Sequence, residues 1–130
     1  MKTNRLLQIV ILVFAVFTMA SCEYEFIKPE YTPPPNPEDT ISFAQEVIPI
    51  FQSNGCTVCH KSGGFGGLDL TLPNAYNNLK SSNLINTADP ASSKIYTYPH
   101  PSLGSHNAKY SSEAEAQIIL QWITQGALNN

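Results

Sequence analysis

The sequence predicts a small all-α domain that follows an N-terminal export segment and a proline-rich spacer. Three observations predict it. Helix-like apolar patterns occur near residues 40–53 and 112–126, no segment shows the alternation of a β-strand, and the region between is rich in glycine, asparagine, serine and proline. About ninety residues remain for the domain, a length at which an apolar core alone gives little stability. We therefore expect an additional stabilising element.

Residues 1–22 have the pattern of a bacterial lipoprotein signal peptide. Lys2 and Arg5 precede a mostly apolar run over residues 6–19, and small residues then precede Cys22, as in a lipobox whose cysteine is acylated and becomes the new N-terminus. The run is short for a membrane-spanning helix, which leaves an uncleaved anchor as the alternative. The sequence thus predicts an exported membrane lipoprotein, lipidated at Cys22, on the periplasmic face or at the cell surface.

Residues 23–39 form the predicted spacer. Its closely spaced prolines forbid a helix and favour semi-rigid polyproline geometry, which would hold the domain off the membrane. Five of the ten acidic side chains of the chain lie here, opposed only by Lys28. Residues 40–130 are therefore close to neutral, and their charge gives no support for a nucleic-acid partner.

The first helix of the domain is predicted over residues 40–53. Ser42 and Gln45 have the spacing of a capping box. Pro49 lies inside the helix and must kink or restart it, and Gly55 follows its end. One apolar face recurs at three- and four-residue intervals, formed by Phe43, Val47, Ile50 and Phe51.

The last helix is the clearest regular element. Ser112 and Glu115 form a capping box at its start, and Gly126 ends it. Trp122 is expected to anchor the core against the first helix. Its apolar stripe consists of Ile118, Ile119, Trp122 and Ile123. Between the two helices we expect a glycine-rich loop over residues 63–67 and short helices near 73–80 and 92–96.

The run from Cys56 to His60 reads C-x-x-C-H, the signature of covalent haem c attachment. Two thiols three positions apart can each add across one vinyl group of the porphyrin, and the imidazole of His60 then becomes the proximal iron ligand. One motif predicts one haem c, which would also supply the missing stabilisation. With lipid on Cys22 and haem on Cys56 and Cys59, no cysteine is left over and no disulfide is expected.

Two other interpretations of the cysteine pair remain open. A redox-active C-x-x-C disulfide normally follows a strand in a βαβ pattern, and no such pattern surrounds Cys56. Zinc is the second alternative, since His100 and His106 have a finger-like spacing and could join Cys56 and Cys59. The intervening stretch is far longer than a usual zinc-finger linker. This alternative would make the protein a zinc-stapled interaction module.

Several segments occur in the order found in a class I cytochrome c domain, which residues 40–130 resemble. The likeness is nearest to the monohaem, exported or lipid-anchored c-type domains of Bacteroidetes and Planctomycetes. It implies a small cytochrome c fold, with N- and C-terminal helices packed around one covalent haem, and a role in moving single electrons. The segments that carry the resemblance are Phe43-x-x-x-Val47-Ile48-Pro49-Ile50-Phe51, C-x-x-C-H, Gly66-Gly67-Leu68-Asp69-Leu70, Ser93-x-Ile95-Tyr96 and Gln121-Trp122-Ile123-x-x-Gly126-Ala127.

The second axial ligand departs from the pattern of that family. Related domains commonly supply a methionine shortly before the last helix, but Met1 and Met19 both lie in the signal peptide. Counting back from Trp122, the corresponding position falls near His106. We therefore expect bis-histidine ligation of the iron, with His60 proximal and His106 distal.

His100 is the rival distal ligand, and water, Lys109 or a tyrosine remains if neither histidine binds. The choice decides the function. Two strong ligands predict a carrier of single electrons between redox partner proteins, without enzymatic activity, whereas an open sixth position predicts a haem-based gas sensor or a peroxidase. The sequence carries no nucleophile motif, paired-acid signature or nucleotide-binding loop, so the electron carrier is the predicted function.

Overall fold

The computed structural model describes residues 4–5, 7–9 and 33–130. The chain divides into two compact units, Met1–Tyr31 and Thr32–Asn130, of which the second contains the predicted domain. The predicted lipidation of Cys22 lies outside the described residues, as do most of the signal peptide and the first part of the spacer. Within the described ranges, no helix has both the length and the apolar character needed to cross a membrane.

Residues 33–130 are helical and contain no β-strand, as predicted. The short helices expected in the middle are confirmed at Ala75–Ser81 and Lys94–Thr97, each within two residues of its predicted limits. In chain order the elements are a π-helical turn Phe43–Val47, α1 (Ile48–Ser53), α2 (Cys56–Cys59), a 3₁₀ turn Phe65–Gly67, α3 (Ala75–Ser81), a 3₁₀ turn Pro90–Ser92, α4 (Lys94–Thr97) and α5 (Glu113–Thr124).

Pro49 determines the shape of the first helical segment. A proline lacks the N–H group and its ring clashes with the carbonyl four residues earlier, so the chain forms a wider π turn before α1 begins at Ile48. The Ser42 hydroxyl accepts the Gln45 amide as predicted. The reciprocal contact differs, because the Ser42 amide donates to Glu46 Oε2 at 2.7 Å. The wider turn thus moves the second half of the capping box one residue along the chain.

The core forms where the first and last helices meet. Trp122 is fully buried and stacks on Phe43 with ring centroids 5.1 Å apart, which confirms its predicted role. Its Nε1 donates to the Leu128 carbonyl at 2.8 Å. Asn54 Nδ2 donates to Glu115 Oε2 at 2.8 Å and joins the end of α1 to the start of α5.

The end of the predicted spacer packs on α5. Gln121 Nε2 donates to the carbonyls of Asn36 and Asp39 at 2.8 and 3.0 Å. Gln125 Nε2 also donates to the Asp39 carbonyl, at 2.7 Å, and its Oε1 accepts the Ile41 amide at 2.9 Å. The part of the chain held by the domain therefore begins at Asn36, a few residues before the predicted boundary.

The N-terminus of α5 allows a direct test of the predicted cap. The Ser112 hydroxyl accepts the Glu115 amide at 3.2 Å. We expect Ser112→Ala to lower the free energy of unfolding by about 1 kcal/mol, because an N-terminal amide loses its acceptor. Chemical denaturation of the full-length protein measures the change. Ser111→Ala, at an exposed neighbouring position, is the matched control, and equal losses in the two variants would contradict the assignment of the cap.

Candidate functional site

The cysteines of the motif lie on the single turn of α2. Gly55 precedes this turn at φ 68°, a left-handed conformation that favours glycine. Cys56 and Cys59 are three positions apart, so both thiols lie on the same side of the helix. Both are free, Cys56 partly buried and Cys59 exposed. The His60 amide donates to the Cys56 carbonyl at 2.9 Å and ends the turn.

A cavity of about 320 Å³ lies beside this turn and is lined in part by Cys56 and His60. The volume is within the range of sites that bind small molecules and cofactors. Gly66, from the glycine-rich loop, also contributes to the lining. Most of the wall is apolar, with Phe51, Leu68, Leu70, Leu84, Ile95 and Pro99.

His106 lines the same cavity as His60. Their ring centroids are 5.9 Å apart and the ring planes are inclined by 36°. An imidazole nitrogen lies about 2 Å from a metal ion that it ligates, so two rings that bind one ion from opposite sides have centroids roughly 6 Å apart. The structure therefore brings together the two histidines that the sequence predicts as an axial pair.

The ring nitrogens of these two histidines indicate which atoms are free to bind. His60 Nδ1 is the one buried side-chain polar atom without a hydrogen-bond partner in the described part of the chain. Such an atom costs about 1–3 kcal/mol and calls for an explanation such as a redox role or a bound ion.

His106 Nδ1 lies 2.7 Å from the Ala108 carbonyl oxygen and 3.2 Å from the Ala108 amide nitrogen. The Ala108 carbonyl is placed to accept a proton from Nδ1 and the Ala108 amide to donate one to it, so the tautomer of His106 determines which contact is the hydrogen bond. When Nδ1 carries the proton and donates to the carbonyl, Nε2 of His106 has a free lone pair. Metal-binding histidines have the same arrangement, in which the second ring nitrogen donates to a carbonyl.

The rival distal ligand, His100, lies elsewhere. The residue is 4% exposed and does not line the cavity. Nδ1 accepts the amides of Ser102 and Leu103 at 3.2 and 3.3 Å, and Nε2 lies 3.3 Å from Glu113 Oε2. Because both ring nitrogens already have partners, His100 is not placed to bind a metal in this cavity.

Two other candidates for the sixth position also have partners of their own. Lys109 Nζ donates to the Pro101 carbonyl at 3.2 Å. The Tyr110 hydroxyl donates to the Ile95 carbonyl at 2.6 Å, and burial raises the pKa of Tyr110 well above its usual value. Sequence reasoning did not identify Tyr110 as part of the cavity wall, because an isolated aromatic residue before a helix cap carries no specific signal.

The zinc ligand set is not assembled. Among residues 33–130, no three His, Cys, Asp or Glu side chains are grouped closely enough to hold a metal ion, so Cys56, Cys59, His100 and His106 do not form a four-ligand site. Burial is the main cause that raises the pKa of the Cys56 thiol, and the Glu115 carboxylate adds to it. The thiol is therefore protonated at neutral pH.

The loop after the motif holds both His60 and the cavity wall. The Leu70 amide donates to the His60 carbonyl at 2.9 Å. The neighbouring Asp69 is 7% exposed, and its Oδ1 accepts the amide and the hydroxyl of Thr71 at 2.9 and 2.5 Å. Its Oδ2 accepts Asn74 Nδ2 at 2.9 Å, which ties the wall to the start of α3.

Asp69 should make the stability of this loop dependent on pH. The Thr71 hydroxyl, the Thr71 amide and Asn74 lower the pKa of its carboxyl below the ordinary value. A carboxylate of this kind stabilises the fold above its unfolded pKa, about 3.9, and the contribution is lost as pH falls through the lower folded value. We expect Asp69→Asn to be less stable at pH 7 and to lose less stability below about pH 4.

Thermal denaturation between pH 7 and pH 2 measures both effects. Asp89→Asn, at an exposed position, is the matched control and should follow the wild-type profile. An Asp69→Asn profile identical to that of the wild type would show that the Asp69 carboxylate does not contribute to folding.

No family model, curated protein or solved structure matches this chain. The kind of site is therefore defined by its own residues. A C-x-x-C-H turn, two neighbouring imidazoles and an apolar cavity define a candidate cofactor site.

Proposed function

We propose that this protein is a membrane-tethered monohaem cytochrome c that carries single electrons between redox partner proteins outside the cytoplasm. The proposal includes a cytochrome c fold and a lipid anchor on Cys22, both of which rest on the sequence. The observation that carries it is the pairing of His60 with His106 in one cavity beside the free thiol of Cys56. Two imidazoles spaced for one ion, next to a C-x-x-C-H turn, support a haem with two protein axial ligands.

The residues of the cavity fit a haem better than they fit zinc. A porphyrin supplies four of the six iron ligands, so two protein donors are enough, whereas structural zinc takes four. His60 and His106 are such a pair, and Nδ1 of His60 is buried without a hydrogen-bond partner. The apolar wall suits a macrocycle, since cofactor sites are mostly apolar with a few fixed polar groups.

Cys56 and Cys59 are the residues that would hold the cofactor covalently. Each Sγ would form a bond to one carbon of a vinyl group while the thiol hydrogen moves to the neighbouring carbon, so no group would leave. The protonated thiol of Cys56 carries the hydrogen that this addition requires. When bound, a haem supplies a one-electron iron couple.

The histidine pair favours an electron carrier over a gas sensor or a peroxidase. When His60 and His106 fill both axial positions, no position is left for a gas or a peroxide. An imidazole in place of a thioether also lowers the reduction potential, because methionine ligation raises it. The chain's own residues therefore fix the coordination and the potential rather than carry out a reaction on a substrate.

Electron exchange would use the surface around Cys59. The Gly64 backbone packs on the Cys59 carbonyl oxygen, since an added Cβ at Gly64 would lie only 2.3 Å from it. The loop that continues into Phe65 therefore lies next to α2. Val58 and Phe65 are 69% and 82% exposed, and such apolar side chains suit the small, transient contacts of redox proteins.

The proposal is tested by the metal content of the full-length protein, produced in a bacterial host that contains haem-attachment machinery. We expect one iron per chain, no zinc, and haem that remains on the polypeptide in a denaturing gel. Stoichiometric zinc without iron would contradict the proposal and support the interaction module. Haem that separates from the polypeptide would contradict attachment through Cys56 and Cys59.

A further inference from the structure

We infer that His100 is a positioning residue that folds the segment presenting His106, and that Glu113 holds His100 in place. Residues 98–110 are called the ligand loop. The inference rests on the proposed function, because it assigns His100 a role in the ligation of iron by His106. It also gives a reason for a buried histidine that does not line the cavity.

The ligand loop turns tightly around His100. The His100 carbonyl accepts the Gly104 amide at 3.0 Å, and its Nδ1 accepts the amides of Ser102 and Leu103. Gly104 is packed so closely that an added Cβ would lie 2.1 Å from the Tyr98 carbonyl oxygen and 2.6 Å from that of His100. Both the backbone and the side chain of His100 therefore shape this turn.

The same turn determines where His106 lies. Directly after it, the His106 amide donates to the Tyr98 carbonyl at 3.1 Å. The Tyr110 amide then donates to the Pro99 carbonyl at 2.8 Å, so the chain returns beside its own starting point. His106 lies on this loop and is exposed, so no helix holds it. The position of the His106 imidazole must therefore be fixed by the fold of the ligand loop, since a functional side chain is positioned by the residues around it.

Glu113 fixes the orientation of His100. Backbone amides can only donate, so Nδ1 of His100 is the acceptor and the proton lies on Nε2. Nε2 donates to Glu113 Oε2 at 3.3 Å, and Glu113 Oε1 also accepts the Ser102 hydroxyl. Tyr96 contacts the ring edge to face, with centroids 4.9 Å apart. Because Glu113 is the first residue of α5, these contacts connect the ligand loop to a regular helix.

The test measures how readily an external ligand replaces His106 in the full-length, haem-loaded protein. Carbon monoxide binding to the reduced protein is followed by stopped-flow absorbance. His100→Phe keeps a ring beside Tyr96 and removes every side-chain hydrogen bond. Glu113→Ala removes the support of His100, and Glu113→Gln restores an acceptor at the same place. Ser112→Ala is the matched control, because it weakens the same end of α5 without touching the ligand loop.

We expect His100→Phe to raise the rate of carbon monoxide binding at least about tenfold, since it loses several hydrogen bonds within the ligand loop. Glu113→Ala should raise it between about twofold and tenfold, as for the loss of one or two partly exposed hydrogen bonds. Glu113→Gln should return the rate toward that of the wild type, and Ser112→Ala should leave it unchanged.

Rates in His100→Phe and Glu113→Ala that match the wild type would overturn the inference. An increase of the same size in Ser112→Ala would also overturn it, because access would then follow the stability of α5 and not the ligand loop. If His100→Phe does not fold, the comparison of Glu113→Ala with Glu113→Gln still tests the inference. Equal rates of carbon monoxide binding in these two variants would then overturn it. A six-coordinate wild type with unresponsive variants contradicts only this inference, whereas a wild type without six-coordinate haem contradicts the proposed function as well.

Discussion

The double variant Cys56→Ala with Cys59→Ala is expected to lose covalent haem and cooperative folding together. The cavity beside Cys56 occupies about 320 Å³ in a domain of about ninety residues, and its wall is mostly apolar. Without the cofactor this wall faces water, and a core of this size has little stability to spare. Removing the covalent link also removes the stabilisation that a tightly held ligand gives to the folded state.

Haem staining in a denaturing gel and far-ultraviolet circular dichroism during heating measure the two losses. Thr57→Ala changes the same turn without removing a thiol and should keep both haem and a cooperative transition. A double variant that retains native-like helicity and a cooperative transition without haem would contradict the argument that the cofactor stabilises the fold.

His106→Ala is expected to convert the iron from a low-spin, six-coordinate state to a high-spin state that binds external ligands. The reason is that the ring centroids of His106 and His60 lie 5.9 Å apart in the same cavity. The side chains of the other candidates, His100, Lys109 and Tyr110, have hydrogen-bond partners elsewhere. None of these three side chains is therefore positioned to replace the lost imidazole. Added imidazole should restore the low-spin spectrum, because it supplies the missing group to the vacated position.

Absorption spectra of the oxidised and reduced variant, with and without imidazole or carbon monoxide, measure this change. Asn107→Ala is the matched control, since it alters the neighbouring exposed residue of the ligand loop. A low-spin spectrum of His106→Ala that is unaffected by either ligand would contradict the assignment of His106 as the distal ligand.

Local signals were sufficient to predict the elements whose determinants are close in sequence. The start of α5 is set by Ser112, whose hydroxyl accepts an amide three residues ahead, and this contact depends on helix geometry alone. The burial of Trp122 followed from its place on an apolar stripe. The spacing of Cys56, Cys59 and His60 on one turn is likewise local.

Other features depend on contacts that no local pattern encodes. In the first cap, the side chain that accepts the Ser42 amide is that of Glu46 and not that of Gln45. This difference results from the wider turn that precedes Pro49. The attachment of the spacer end depends on Gln121 and Gln125, whose amides find backbone partners more than eighty positions away.

The two histidines of the ligand loop show the same limit at the site. The sequence favours His106 over His100 through its distance from Trp122 alone, since each histidine lies in a loop of turn-forming residues. They are distinguished by tertiary contacts, because Glu113 takes Nε2 of His100 while His106 lies beside His60. Local spacing therefore identifies the C-x-x-C-H turn and favours His106, whereas the contacts that separate the two histidines depend on the packing of the loop against α5.

The most direct test of the proposed function is the visible absorption spectrum of the reduced full-length protein before and after addition of carbon monoxide. Ligation by His60 and His106 predicts a sharp low-spin spectrum that carbon monoxide shifts only slowly, because His106 must first leave the iron. A high-spin spectrum, or one that carbon monoxide shifts readily, would contradict the electron-carrier assignment and indicate a sensor or a peroxidase with an open sixth position.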